Sequence, residues 1–170
     1  MIQAPVHVVP YDPTWVTKFE HEKLALETLL APWRRGPIEH VGSTAVVGLC
    51  AKPVVDVMVG IVSLADSEPA KEVLRDAGYH YSAYRTDILH WFCKPSFAMR
   101  THHLHLVPYE SPVWCARLRF RDLLRTDSRL AAEYAALKLE LAARFEFDRE
   151  AYTEAKAPFI ERALASARQP

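Results

Sequence analysis

The sequence predicts an α+β fold, in which a mixed β-sheet with flanking helices is followed by a helical tail. Short runs rich in β-branched and aromatic residues alternate with helical stretches as far as about residue 110. Beyond that point apolar residues such as Leu130, Tyr134 and Leu141 recur at helical spacing. A chain of 170 residues fits one domain of ordinary size. We therefore expect a single domain, with a sheet-containing core over 1–110 and a helical tail over 111–170 packed on it.

The individual elements are predicted from hydrophobic periodicity and capping residues. An amphipathic helix is expected over 13–30, because Trp15 and Phe19 lie on one apolar face, and a second helix is expected over 66–77. The predicted strands are VHVV at 6–9, PIEHV at 37–41, VVDVMVGI at 54–61, YHYS at 79–82, ILHWFC at 88–93 and HLHLV at 103–107. The tail predicts three helices, the second and third of which begin at the N-caps Asp127 and Asp148.

Composition and charge restrict the classes of function. The 21 basic residues balance 21 acidic ones and form no basic stripe, which argues against nucleic acid as a partner. No apolar run comes close to about 18 residues, the length that a membrane-spanning helix needs. The N-terminus also lacks the features of a signal peptide. We therefore expect a cytoplasmic protein with no membrane partner. Cys50, Cys93 and Cys115 are too widely spaced for a zinc pair and are expected to be packed thiols.

The most informative stretch is IEHVGSTAVVGLCAKPVVDVMVGI, at residues 38–61. A strand ends at Val41, Gly42 allows a tight turn, and Ser43 and Thr44 can cap a short helix whose free amides would face an anion. Lys52 follows as a natural counter-charge for a phosphate, with a surface lysine as the alternative. This arrangement predicts a phosphate-sized site.

Asp56 is the one acid in the extended run that follows this turn. Because side chains alternate along a strand, it lies on the same face as Met58 and opposite Val55 and Val57. A carboxylate embedded among apolar residues needs a partner. Asp56 is therefore a candidate functional residue, or else a strand-end carboxylate bonded to loop amides.

Together these motifs resemble the GrpB-like family of the nucleotidyltransferase superfamily. The matching segments are HVGSTAV, GL, AKP and VDVMVG, the N-terminal VPYDPTW, the later THHLHLV, and LRFRDLLR, YAALK and YTEAK in the tail. They occur in the expected order from Val9 to Ile160. The resemblance implies a nucleotidyltransferase-like fold that binds ATP or another nucleoside triphosphate with a divalent metal, and transfers a nucleotidyl group to a small-molecule acceptor.

Carried over to this chain, the resemblance implies that Gly42 and Ser43 hold the triphosphate and that Asp56 is the catalytic first metal ligand. Met58 stands where the superfamily has its second acid, and the third acid is also missing, which puts two-metal catalysis in doubt. Two alternatives therefore stay open. One is an ATP-dependent ligase or another metal-dependent enzyme on the same fold, and the other is a non-catalytic nucleotide- or anion-binding module.

His103 and His105 occupy the place of the third acid and share one face of their strand. With Asp56 on a neighbouring strand, they could form a two-His-one-carboxylate site that favours zinc, manganese or iron over magnesium. In the alternative, one imidazole bonds a backbone carbonyl and the other a ligand phosphate or Asp56. His102 points to the other face and is expected to be exposed.

Further candidates flank these motifs. Arg121 and Arg125 are one helical turn apart and share a face, so they could reach a bound triphosphate. The alternative is an ion-pair network with Asp122 or Glu133 that holds the helices to the sheet. Near the glycine turn, His40 is expected to lie closer to the ligand than Glu39, and the alternative for either residue is a structural partner of the loop.

Overall fold

The structure is a computed structural model that describes residues 5–167. In chain order its elements are α1 (Thr14–Leu29), β1 (Arg34–Val41), β2 (Val55–Ile61), α2 (Ala70–Asp76), β3 (His80–Ser82), β4 (His90–Pro95), β5 (Arg100–Pro108), α3 (Pro112–Thr126), α4 (Ser128–Arg144), α5 (Arg149–Glu154) and α6 (Ala157–Ser166). A single 3₁₀ turn at Ser43–Ala45 follows β1. The α+β class with a mixed sheet is thus confirmed.

The five strands form one sheet in the order β1-β2-β5-β4-β3. The two central strands, β2 and β5, are parallel, and the other pairs are antiparallel. In the central pair Asp56 lies beside His103, and Met58 lies beside His105. Residues that are paired in this way present their side chains on the same face. The register therefore brings the predicted acid and the two predicted imidazoles together.

The two faces of the sheet are buried by different helices. The valines of β2 pack with Trp15, Phe19 and Leu26 of α1 and with Leu74 of α2 in the main core. On the opposite face α3 covers a smaller apolar cluster around Trp114. Burial of one large apolar side chain contributes about 1.5–3 kcal/mol, so both layers stabilise the sheet. The rest of that second face remains open to a cavity.

The tail helices begin where the capping residues predict. Oδ1 of Asp127 accepts the backbone N–H of Leu130 at 2.9 Å, and Oδ1 of Asp148 accepts that of Ala151 at 2.9 Å. The third predicted helix is divided into α5 and α6, with a short break before Ala157. Within the described residues the tail therefore has four helices.

Residues 6–9 do not form the strand that is predicted there. Only Val9 pairs, in an isolated bridge with Ala51, while the N–H of Val6 donates to Glu146 at 2.6 Å. Pro5 and Pro10 bracket the segment, and proline has no N–H with which to continue a ladder.

The three cysteines are free thiols, and Cys115 is exposed rather than packed. No helix within residues 5–167 is long and apolar enough to cross a membrane.

Candidate functional site

Asp56, His103 and His105 converge on one face of the two central strands. Nδ1 of His103 lies 2.9 Å from Oδ1 of Asp56, and Nε2 of His105 lies 3.5 Å from the same oxygen. The three potential ligand atoms all lie within 4.8 Å of one another. The structure thus assembles the two-His-one-carboxylate cluster that the sequence suggests.

The environment sets the charge state of this triad. Burial lowers the pKa of His105 to about 3, and the charge of Arg117 acts in the same direction, so the imidazole is neutral near pH 7. Burial by itself would raise the pKa of Asp56, but hydrogen bonds from His103 and His105 outweigh it and hold that pKa well below its usual range. A carboxylate beside a neutral imidazole is the form in which both groups bind metals.

The triad could hold one transition-metal ion. Two ligands of a tetrahedral zinc ion at about 2.0–2.2 Å lie about 3.3–3.6 Å apart, and cis ligands of an octahedral ion lie closer together. The separations from Oδ1 of Asp56 to the two imidazole nitrogens, 2.9 and 3.5 Å, are of this size, and all three ligand atoms lie within 4.8 Å of one another. At the position of the superfamily's second acid, Met58 is fully buried in the apolar cluster around Trp114. No second carboxylate is therefore available at that position.

The glycine turn lies directly against Asp56. Val41 pairs with Asp56 across β1 and β2, so the chain turns at Gly42 immediately beside the carboxylate. Gly42 has φ 71° and ψ −173°, and a Cβ there would stand 2.5 Å from Oδ2 of Asp56. Ser43 lines the adjoining cavity. Thr44 also borders the cavity, but it is almost fully buried, and its hydroxyl donates to the carbonyl of Val54 at 3.4 Å.

A cavity of about 460 Å³ separates the triad from the helices of the tail. This volume is typical of small-molecule sites. Its basic lining residues are Lys52, Arg100, Arg117, Lys138, Arg149 and Lys156, and its acidic ones are Asp56, Glu150 and Glu154. The excess of positive charge favours an anionic ligand.

Two of these lysines share one aromatic ring. Nζ of Lys52 lies 4.8 Å from the ring centroid of Tyr152, and Nζ of Lys156 lies 4.3 Å from it. Burial lowers the pKa of Lys52 to about 8. Burial together with the charge of Lys52 lowers the pKa of Lys156 to about 7. Lys138 is different, because its ammonium donates to the carbonyl of Cys50 and so ties α4 to the loop before β2.

Arg121 and Arg125 do not reach this cavity. They line a separate cavity of about 760 Å³ between α1, β1 and α3. Arg121 donates to Glu39 at 2.6 Å and to Asp122 at 2.8 Å. Arg125 donates twice to the carbonyl of Ala45, at 3.1 and 2.9 Å. The predicted ion pair with Asp122 is therefore present, whereas contact with the triphosphate site is not. The side chains of Arg121 and Arg125 both project from the part of α3 that faces β1.

Two histidines are placed differently from their predictions. His40 pairs with Val57, and its ring stacks on Phe19 at 4.7 Å, so it lies on the face opposite Asp56. His102 points away from the triad as predicted, but its side chain is only 13% exposed, with Nε2 3.9 Å from Glu22 of α1. Both rings are covered by α1, whose position over the sheet is a tertiary feature.

The cavity also contains Arg100, Arg117 and Arg149, which no sequence motif singles out. Arg100 directly precedes the THHLHLV segment, and Arg149 directly follows the N-cap Asp148. For Arg100 and Arg149, this closeness to a family motif or to an N-cap is the one signal in the sequence that could have pointed to them.

The sheet, the glycine turn and the acid on the next strand define a nucleotidyltransferase-like fold. A crystal structure of the Cid1 poly(U) polymerase superposes with a TM-score of 0.53 at 14% identity, covering 87% of this chain and 49% of that chain. A likeness at this identity shows the fold alone.

The family model described as GrpB protein matches residues 5–166, and the chain belongs to this family. The Glutamate-rich protein GrpB of Alkalihalophilus pseudofirmus is 35% identical over 167 residues, which are 95% of each chain. The crystal structure of the conserved protein GrpB from Enterococcus faecalis has a TM-score of 0.84 at 29% identity and covers 95% of this chain and 96% of that chain. The resemblance noted in the sequence is thereby confirmed.

Proposed function

We propose that this chain is a metal-dependent enzyme that binds a nucleoside triphosphate in the 460 Å³ cavity and transfers its nucleotidyl group to a small-molecule acceptor. The observation that carries the proposal is the position of Asp56. Its carboxylate stands between the Gly42 turn on one side and His103 and His105 on the other, at the wall of a cavity with excess positive charge.

Asp56, His103 and His105 would hold one divalent metal ion, which supplies charge neutralisation and polarises a phosphoryl oxygen when bound. Two nitrogen donors and one oxygen donor favour manganese or zinc over magnesium. Before a metal arrives, the hydrogen bonds from the imidazoles keep the carboxylate of Asp56 ionised and oriented.

The remaining residues would bind the phosphates. Gly42 leaves room in front of Asp56 that any other residue would fill, and Ser43 borders the same space. Lys52 and Lys156 supply the ammonium groups for the terminal phosphates. In the transfer, an acceptor hydroxyl oxygen forms a bond to the α-phosphorus while the bond to the bridging oxygen breaks. Pyrophosphate leaves towards these cations, and the hydroxyl proton passes to solvent.

Met58 favours a second candidate, an ATP-dependent ligase or another metal-dependent enzyme on the same fold. Two-metal nucleotidyl transfer uses a second acid to bridge the ions, and a buried methionine cannot supply it. The reaction products separate the candidates, because nucleotidyl transfer releases pyrophosphate and leaves the nucleotide on the acceptor.

The first test is the melting temperature of the metal-stripped protein with ATP, GTP, CTP or UTP, each with magnesium, manganese or zinc. A ligand that binds only the folded state raises the melting temperature. We expect nucleotide and metal together to raise the melting temperature beyond the rise with metal alone, and this further rise should disappear in Asp56→Asn. Asp76→Asn, at an exposed position on α2, is the control.

An equal rise in Asp56→Asn would contradict the proposed site, and no rise with any pair would contradict nucleotide binding. A rise with zinc or manganese that no nucleotide increases would favour another metal-dependent enzyme on the same fold. A combined rise without any turnover of the nucleotide would favour a non-catalytic nucleotide-binding module.

A further inference from the structure

The cations of the cavity are divided by the triad into two groups. Asp56 and His103 are paired across the parallel strands β2 and β5, and this pair is called the rung below. The first group lies on the N-terminal side of the rung along both strands. Lys52 precedes β2, and Arg100 begins β5, so both are upstream of the rung on parallel strands. The Gly42 turn is on the same side, because β1 runs antiparallel to β2. Arg149 and Lys156 belong with this group, since the charges of Arg100 and Lys52 respectively act on them.

Arg117 lies on the other side of that rung. It is one turn after Trp114 on α3, and Trp114 packs against Met58 and Val107, which are downstream of the rung on β2 and β5. The charged and ionisable groups that act on the guanidinium are Asp56, Arg85 and Tyr84, and none belongs to the first group. Its charge also acts on the neighbouring ring of His105.

The guanidinium of Arg117 has no hydrogen bond or ion pair to any residue between 5 and 167, although it is partly buried. A buried charge without a close partner is strongly destabilising. The nearest opposite charge named above, Asp56, is already bonded to two imidazoles. An anion that enters the cavity would supply the remaining compensation.

The rim beside Arg117 has features of a binding surface. Tyr84 lines the cavity and is 43% exposed. The next residue, Arg85, has φ 49°, in the left-handed region that non-glycine residues seldom adopt. Such strain tends to occur at functional sites. The side chain of Arg85 also adds a second positive charge near Arg117.

We propose that Arg117, with Tyr84 and Arg85 at the rim, binds a carboxylate or phosphate group carried by the acceptor. This inference rests on the proposed function, which assigns the first cation group to the triphosphate. In phosphoryl transfer the attacking and leaving oxygens lie roughly in line on opposite sides of the phosphorus. The two cation groups lie on opposite sides of Asp56 in the same way, so the acceptor is an acidic small molecule with a hydroxyl group.

The test measures the binding of two anions to the metal-free protein by isothermal titration calorimetry. Inorganic tripolyphosphate first saturates the first cation group, and inorganic phosphate or succinate is then titrated. We expect one phosphate or succinate to bind to the loaded wild type. Arg117→Met should weaken this second event by about tenfold or more, because a hydrogen-bonded charge pair is lost. Arg117→Lys should keep part of it, and tripolyphosphate binding should be unchanged in both.

Arg129→Met is the matched control, since Arg129 is 90% exposed on α4 and is not among the residues that line the cavity. Circular dichroism and melting temperature verify that every variant is folded. A response to phosphate alone identifies a phosphate-bearing acceptor, and a response to succinate identifies a carboxylate-bearing one.

Three results would overturn the inference. They are no second binding event in the wild type, an equal event in Arg117→Met, and competition between the second anion and tripolyphosphate. If tripolyphosphate itself does not bind, the proposed function fails. In that case phosphate titrated into the unloaded wild type and Arg117→Met still decides the role of Arg117.

Discussion

Gly42 and Asp56 are in such close contact that a Cβ at position 42 would stand 2.5 Å from Oδ2 of the carboxylate. Two strands that pair at Val41 and Asp56 bring the turn and the acid to the same point. The absence of a side chain at position 42 therefore determines how much space lies in front of Asp56.

The first prediction concerns this contact. Gly42→Ala should destabilise the protein by about 1–3 kcal/mol through its glycine-only backbone conformation, and the collision with Asp56 should add to that loss. It should also abolish manganese or zinc binding. Gly48→Ala is the matched control, because Gly48 has φ 80° but a Cβ there meets nothing within 4 Å. Urea unfolding and calorimetry measure the two effects, and equal metal affinity in both variants would refute the contact's role.

The second prediction concerns the metal. His103→Ala and His105→Ala should each weaken zinc or manganese binding by more than about tenfold, since even outer-sphere partners of a metal contribute that much. His21→Ala, on the exposed side of α1, should have no effect. Calorimetry of the metal-stripped proteins provides the comparison. Tighter binding of magnesium than of zinc would contradict the assignment of two imidazoles and one carboxylate as the metal ligands.

The third prediction concerns Met58. Met58→Asp should restore the superfamily's second acid in sequence but should destabilise the protein by about 3–5 kcal/mol, because the charge would be buried without a partner. Met58→Leu should cost less than about 1.5 kcal/mol. Denaturant unfolding with and without magnesium is the measurement. Rescue of Met58→Asp by magnesium would show instead that a second metal site is present.

The fourth prediction separates structure from binding at Arg121. Arg121→Met removes bonds to Glu39 and to the carbonyl of His40, and leaving such groups unpaired costs about 1–3 kcal/mol. We expect a lower melting temperature with unchanged binding of tripolyphosphate. Lost binding at an unchanged melting temperature would place Arg121 in the ligand site.

The fifth prediction is a pH dependence with opposite signs for binding and stability. An anion binds the protonated forms of Lys156 and Lys52, whose pKa values are lowered by burial to about 7 and about 8. Sulfate, whose charge is constant in this range, should therefore bind more weakly as the pH rises from 6.5 to 9. In the ligand-free protein the unfolded chain binds more protons in this range, so stability should increase with pH.

Lys156→Met should flatten both profiles, whereas Lys71→Met, at the surface of α2, should leave them unchanged. The charged groups that face Lys156 are Lys52, Asp56 and Lys138, and only the lysines among them titrate near this range. Sulfate affinity that is constant from pH 6.5 to 9 would show that neither lysine binds the anion.

The local part of the structure follows closely from sequence periodicity. Alternation along β5 puts His103 and His105 on one face, and the capping residues Asp127 and Asp148 begin α4 and α5. The strand at 6–9 fails because a run of β-formers next to prolines becomes a strand only if a partner strand is available.

The candidate site is predicted only in part. The acid and the two imidazoles lie on strands whose pairing follows from the family resemblance, so they were accessible from sequence. Arg121 was equally plausible as a phosphate ligand, yet it faces β1, while Arg117, one turn earlier on the same helix, faces the cavity. The rotation of α3 about its own axis decides between them, and it depends on how Trp114 packs on the sheet.

The sequence by itself determined the α+β class, the family, the glycine turn and the three residues of the triad, because these depend on local periodicity and contiguous motifs. Only the tertiary structure decided which cations surround the triad and on which side of it each one lies. The reason is physical: a basic side chain on a helix looks the same in sequence whether it faces solvent, an ion pair or a cavity. Its role is set by the packing of that helix on a distant part of the chain.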